Sequence, residues 1–281
     1  LLEIKGDDSR EFLQALVTNN INLITNKNSI YSALLSPQGK YIFDFFIFEN
    51  SINGLISIDC ASNRYEELLK VLNMYKLRNK IVFNINKNVC VLGIYGSNYS
   101  ELLLDLDMNH FEGNTKKINN TIIIIDPRNK NLGLRIYSNI TCDIKKLDQI
   151  PNGTLAEFDY NRLQLKVPNP EIDLEIEKSF LIENNFESLN AIDFNKGCYI
   201  GQENTARQKY RGTAKKKLVL VRIYGQNIIN GTKIYVNEKI IGTMRSSCKD
   251  LGLVTIKTAI YEEYKNNKLT IKTLKSEIEL L

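Results

Sequence analysis

Histidine is nearly missing from this chain: His110 stands alone among 281 residues. One histidine makes a histidine-rich metal site impossible and removes any catalytic triad that needs a histidine elsewhere. His110 itself, in LDMNHFEGN, reads as a loop residue. Cysteine is sparse too. The five thiols, Cys60, Cys90, Cys142, Cys198 and Cys248, are far apart, odd in number and never in a C-x-x-C pair. That excludes a disulfide framework and a zinc site and points to reduced thiols. It also argues against a metal–sulfur cluster held within one chain, since four thiolates are the usual complement. Cys60, Cys90 and Cys142 lie in or beside apolar stretches and read as small buried hydrophobes. No apolar run approaches the roughly 20 residues of a membrane-spanning helix, and no cationic stretch leads into an apolar one at the start. The chain begins at Leu1, directly on a structured-looking segment, so a short missing N-terminus is expected. Internal repeats and low-complexity linkers are absent as well.

What is present is an ordinary globular composition, with 43% apolar and 25% charged residues, and a length that predicts two or three domains. The net charge of +5 is mildly basic and reads as a solvated surface rather than a nucleic-acid footprint. Asp8–Glu11 reads as a capping box opening a helix with Phe12, Leu13, Leu16 and Val17 on its apolar face. Ile30–Leu35 and Tyr41–Phe48 read as a hairpin turned at Ser36–Gly39, followed by a strand over Gly54–Asp59. A second helix from Asn63 buries Leu68, Leu69, Leu72 and Tyr75, with cations at its end that complement the helix dipole. Strands are expected at Ile81–Ile85, Val89–Tyr95, Thr121–Asp126 and Leu132–Ser138, and helices at Tyr99–Leu106 and Thr141–Gln149. A capping box at Thr154–Glu157 opens a helix that Pro168 terminates. Beyond Lys215, short strands at Leu218–Tyr224, Thr232–Val236, Lys239–Met244, Gly252–Thr258 and Leu269–Thr273 predict a small antiparallel β-barrel. The fold class is therefore α+β, with domains expected at 1–213 and 214–281.

Chemistry concentrates in Asn195–Gly212, NKGCYIGQENTARQKYRG. Gly197 and Gly201 bracket Cys198 in what reads as a tight loop whose backbone comes close to something. A helix is expected from Gln202, with no Pro or Gly before Gly212. Cys198 then precedes a helix N-terminus and lies two residues from Lys196, and both features favour a thiolate.

This segment resembles the K-G-C-[aromatic]-x-G-Q-E signature of the YgfZ family, relatives of the T-protein (aminomethyltransferase) of glycine cleavage. Lys196, Gly197, Cys198, Tyr199, Gly201, Gln202 and Glu203 fill it without a gap. Ile4–Ile21 and Leu34–Phe46 resemble the family's first helix and hairpin. Tyr160–Glu183 is similar to the segment before the signature, and Ile240–Ser247 to its C-terminal glycine turn. The resemblance implies a T-protein-like N-terminal region of two intertwined ferredoxin-like subdomains around a central opening, with the barrel appended. It also implies tetrahydrofolate binding in support of iron–sulfur cluster assembly or repair, with indirect effects on tRNA modification. A non-enzymatic accessory factor fits this better than a catalyst. The alternative is a folate-dependent aminomethyl or methyl transferase.

On that resemblance Cys198 is the functional thiol. Asp44, an isolated acid in GKYIFDFF, reads either as an exposed-face residue or as one set in a cleft, and the resemblance, whose T-protein relatives carry a catalytic aspartate near this hairpin, implies the catalytic role. Glu183 would pair with the pterin's donor edge, and Tyr199 would stack on it or pack under the loop. Arg207 and Arg211 would meet the folate's carboxylates, while Lys196 and Gln202 would join the folate site, Gln202 having a local capping role as an equal explanation. Iron–sulfur proteins or assembly factors are the expected partners, with no membrane, no direct nucleic acid and no resident metal. The expected location is the cytoplasm.

Overall fold

A computed structural model describes residues 1–50, 54–96, 99–138, 150–236, 239–267, 271–272 and 276–281. The chain divides into two compact units: residues 1–37, 42–152 and 188–202 form one, and 38–41, 153–187 and 203–281 the other.

The first unit holds two antiparallel sheets. In one, β2 (Ile30–Leu35), β3 (Tyr41–Asn50), β4 (Leu55–Asp59), β1 (Leu2–Lys5) and β5 (Val82–Ile85) lie side by side in that order. Helices α1 (Ser9–Leu16) and α2 (Tyr65–Lys76) cover it, placing Phe12, Leu13, Leu16, Leu68 and Leu72 in one core with Ile4, Phe43, Phe45 and Ile58. Both helices follow the i, i+4 spacing of their apolar residues. The expected capping box at Asp8 does not form: Asp8 makes no side-chain cap, and its Oδ2 accepts instead from the Lys80 N–H at 2.6 Å. A long-range backbone donor has displaced the local one.

The other sheet runs β6 (Cys90–Ile94), β9 (Leu134–Ser138), β8 (Thr121–Ile125) and β7 (Thr115–Ile118). Strand β8 is buried along its whole length. Ile123 and Ile125 pack with Leu102 and Leu103 of α3 (Tyr99–Asp105), and Ile122 and Ile124 pack with Phe48 of the first sheet. A strand buried on both faces reads as a continuous apolar run, as TIIII does. Neither β1 nor β7 is anticipated by the sequence pattern. Cys90 is exposed on β6, correcting its reading as a buried hydrophobe, because β6 is an edge strand with little packed over it. The expected helix at Thr141–Gln149, Cys142 and part of the expected Leu269–Thr273 strand lie outside the described residues.

In the second unit six strands close an antiparallel barrel: β10 (Lys216–Gly225), β13 (Leu251–Lys257), β12 (Lys239–Cys248), β11 (Lys233–Val236), β14 (Ile271–Lys272) and β15 (Ser276–Leu280). Alternation along β10 sends Val219, Val221 and Ile223 inward, while Leu218 and Leu220 pack with Leu163 of α4 (Leu155–Gln164). The capping box of α4 forms as expected, with Thr154 and Glu157 satisfying each other's backbone N–H. At the other end of α4, buried Arg162 donates to the Val167 carbonyl, to Ser246 Oγ and to the fully buried Asp173 at the end of α5 (Pro170–Asp173). Burial raises the pKa of Asp173, opposed by Arg162 and the Ser246 donors. Arg162→Leu leaves that carboxylate without its cation, and urea unfolding is expected to show a loss of about 3–5 kcal/mol. The double variant Arg162→Leu/Asp173→Leu should recover only part of it, because the second substitution removes the acceptor of the Asn169 and Ser246 N–H groups.

Candidate functional site

The signature segment is fastened to the end of α1. After Val17, Thr18 donates its hydroxyl to the Ala191 carbonyl at 2.7 Å and accepts from the Ala33 N–H. Asn19 donates to the carbonyls of Tyr31 and Asn190, and the Asp193 N–H donates to the Thr18 carbonyl. Asp193 then accepts from the Asn195 N–H at 2.7 Å, turning the chain toward Lys196.

Lys196 is buried, and its Nζ donates to the carbonyls of Gln14, Val17 and Asn19 at 2.8, 2.6 and 2.9 Å. Three ammonium hydrogens meet three acceptors, so none is left for Cys198 or for a ligand. The Gln14 and Val17 carbonyls belong to the C-terminal end of α1, where unpaired acceptors and the helix dipole favour a cation, and Asn19 lies in the turn that follows. The sequence places this charge beside the thiol; in the structure it points into the body. Tyr199 is buried below the loop, its ring centroid 5.1 Å from Lys196 Nζ, and Ile200 packs against the first unit's core. Between these anchors Gly197 and Cys198 are exposed.

A Cβ added at Gly197 would meet no described protein atom within 4 Å, so packing within the chain does not require this glycine. Gly201 does need to be glycine, because its φ of +79° lies in the left-handed region. The expected helix forms as α6 (Gln202–Arg211), with the Gln202 N–H donating to the Tyr199 carbonyl.

Asp44 is half-buried on β3 and accepts from the Tyr31 hydroxyl at 2.8 Å. On the same strand Phe46 lies under two guanidiniums, Arg135 at 3.9 Å and Arg128 at 4.9 Å. Arg128 pairs with Asp126, while Asp59 accepts from both Arg135 and Tyr137. Burial works against both arginine charges, and these partners more than offset it. Burial also pushes the Cys60 thiol up to about 12, reinforced by Asp59 and Asp44.

Lys196, Cys198, Tyr199, Gln202 and Asp44 thus fall in the first unit, and Glu183, Arg207 and Arg211 in the second. Glu183 Oε1 accepts from the N–H groups of Lys215 and Lys216, and Arg207 pairs with Glu203 across one helical turn. Arg211 is exposed at the end of α6.

A cavity of ≈ 580 Å³ opens beside the signature segment. Tyr31, Phe194, Glu112, Asp193, Asn19 and Asn190 are among its walls, and no Lys or Arg is among the described residues lining it. Sequence reasoning missed this group, together with Thr18 and Asn19. The available signal was the run of small polar residues, Thr18–Asn20, directly after an amphipathic helix.

No family model matches the chain. Its fold is that of a glycine cleavage aminomethyltransferase: the T-protein from Bartonella henselae superposes with a TM-score of 0.80, covering 99% of this chain and 81% of that one at 14% identity. The relatives found by sequence narrow the class. They include the Neurospora crassa protein named iron–sulfur cluster assembly factor IBA57 homolog, mitochondrial, 28% identical over 80% of this chain and 52% of its own length. The Dictyostelium discoideum homolog is 26% identical over 78% and 59%, and the human factor IBA57 26% identical over 91% and 74%. The chain spans just over half the length of the first two. The resemblance carried by the signature is borne out: the sequence relatives are iron–sulfur cluster assembly factors, and the fold is that of the T-protein. The relatives' mitochondrial names overturn the expected cytoplasmic location.

Burial draws the Lys196 pKa from 10.5 down to about 8, opposed by Asp193. The folded value is the lower one, so between about 8 and 10.5 unfolding takes up a proton and this group makes stability rise with pH. Below about 8 both states are protonated and the contribution is flat. Lys196→Met is expected to lose that rise and, at neutral pH, about 2–4 kcal/mol through stranded carbonyls. Urea unfolding of both proteins at a series of pH values checks both.

Proposed function

We propose that this protein is an accessory factor in iron–sulfur cluster assembly, offering Cys198 as one thiolate to a cluster it shares with a partner protein. The observation that carries this is the loop itself: an exposed cysteine held between two buried anchors, Lys196 and Tyr199. Among the described residues no group of three or more His, Cys, Asp or Glu is arranged to hold a metal ion. One thiolate cannot saturate a cluster that takes four, so the remaining ligands come from elsewhere and the cluster is cargo. The names of the relatives support the same reading. Effects on tRNA modification then arise through cluster-dependent enzymes. Anaerobic addition of a glutathione-coordinated [2Fe–2S] cluster tests the thiolate. Wild type is expected to change the cluster's visible circular dichroism, and Cys198→Ser is expected to leave it unchanged; an equal response from both variants removes the role of the thiol.

The finer reading adds tetrahydrofolate. A pterin head needs carboxylates or amides for its donor edge and a ring to lie against. Glu112, Asp193, Tyr31 and Phe194 supply these in a cavity of suitable size. The glutamate tail needs a cation, which this lining lacks, so the head group carries the proposal. Glu183, in the second unit, is the rival partner for the pterin. Anaerobic calorimetric titration is expected to show binding to wild type, weakened about tenfold or more in Asp193→Asn, as loss of a charged hydrogen bond entails. A loss confined to Glu183→Ala moves the pterin to Glu183.

A further inference from the structure

The second unit carries a concentration of cations that neither the fold nor the reading above uses. Six lie between Arg207 and Lys217: Arg207, Lys209, Arg211, Lys215, Lys216 and Lys217. Those in the body of α6 are neutralised, Arg207 by Glu203 and Lys209 by Glu187. The ones that follow are not. Arg211, Lys215 and Lys216 are exposed, and β13 adds exposed Lys257. Among the described residues none of these four has an acidic side chain within ion-pair distance. Glu183 is close, but its Oε1 faces the backbone N–H groups of Lys215 and Lys216.

The register of the barrel aggravates the repulsion. Lys216 stands directly opposite Lys257 in the β10–β13 ladder. Like charges in directly opposed positions destabilise a sheet, and any pairing of opposite charge would relieve them. Lys40 belongs to the same neighbourhood: burial lowers its pKa, Glu183 opposes, and Lys216 lowers it further. Lys216, Lys257 and Lys40 crowd together, exposed Arg211 and Lys215 flank them along the chain, and no described acid pairs with Lys216 or Lys257, which makes this part of the barrel complementary to an anionic partner.

We propose that this face docks an acidic segment of the protein that supplies or receives the cluster. The partner's role rests on the function proposed above; the surface does not. Single-stranded nucleic acid fits less well, because it asks for aromatic platforms beside the cations. Three of the four free cations are lysines. The Tyr261 ring is covered by Lys217 Nζ at 4.3 Å, which leaves Tyr210 as the exposed ring of the stretch.

Fluorescence anisotropy of the full chain with a labelled oligoglutamate peptide, and with single-stranded RNA of equal charge, tests the surface. The patch variant is Lys215→Glu/Lys216→Glu/Lys257→Glu. The control, Lys70→Glu/Arg78→Glu/Lys87→Glu, reverses three exposed cations of the first unit. Peptide affinity is expected to fall at least about tenfold in the patch variant and hardly in the control, and to weaken as salt is raised. Equal losses in both variants reduce the surface to net charge and overturn the proposal. Tighter binding of the RNA than of the peptide overturns it in favour of nucleic acid. A preserved circular dichroism response to the glutathione-coordinated cluster shows that the patch variant is folded and separates the two readings: peptide binding can fail while cluster capture stands, and Cys198→Ser should do the reverse.

Discussion

A single ammonium group holds the cysteine loop in place. Lys196 reaches the Gln14 and Val17 carbonyls at the end of α1 and the Asn19 carbonyl in the turn beyond it, and in doing so ties residues 190–196 to a helix that the chain completes at Leu16. Buried acceptors and a buried cation would each be costly alone, and together they satisfy one another. The exposure of Cys198 follows from this: with Lys196 and Tyr199 both turned inward, the residues between them face outward. For the cluster capture proposed above, a mobile thiol would have to be ordered on binding, a cost that a pinned one avoids.

The same economy of ligands shapes the function. With one exposed thiol in the signature and one histidine in the chain, the cluster-sharing role proposed above needs ligands from a partner. Composition and the names of the relatives favour that proposal together. The fold alone does not decide it, since the T-protein from Bartonella henselae shares the architecture at 14% identity and is named an aminomethyltransferase. The cysteine loop and the opposed lysines of the barrel are features of this chain laid on that architecture.

Local pattern made much of the architecture legible. The amphipathic spacing of Phe12, Leu13, Leu16 and Val17 marked α1, Thr154 and Glu157 marked the start of α4, and short strands at even spacing marked the barrel. Each depends on residues a few positions apart, where propensity and capping act. The failures share one cause. Asp8 serves Lys80 rather than its own helix, Cys90 is exposed because β6 is an edge, and Lys196 faces away from the thiol it neighbours in sequence. Each outcome was settled by a partner some 70 to 180 residues away, or by the lack of one.

The sequence by itself determined the chemical inventory: one histidine, scattered thiols, the unbroken K-G-C-Y-I-G-Q-E run, and the periodicities that build helices and strands. Tertiary structure decided how that inventory is used. It turned Lys196 inward, left Cys198 outside, gathered Glu112, Asp193, Tyr31 and Phe194 around one cavity, and set Lys216 against Lys257. The division has a physical reason. Helix and strand formation reads neighbours three or four residues apart, whereas the direction of a buried charge is set by whichever distant backbone groups are left without a partner when the chain closes.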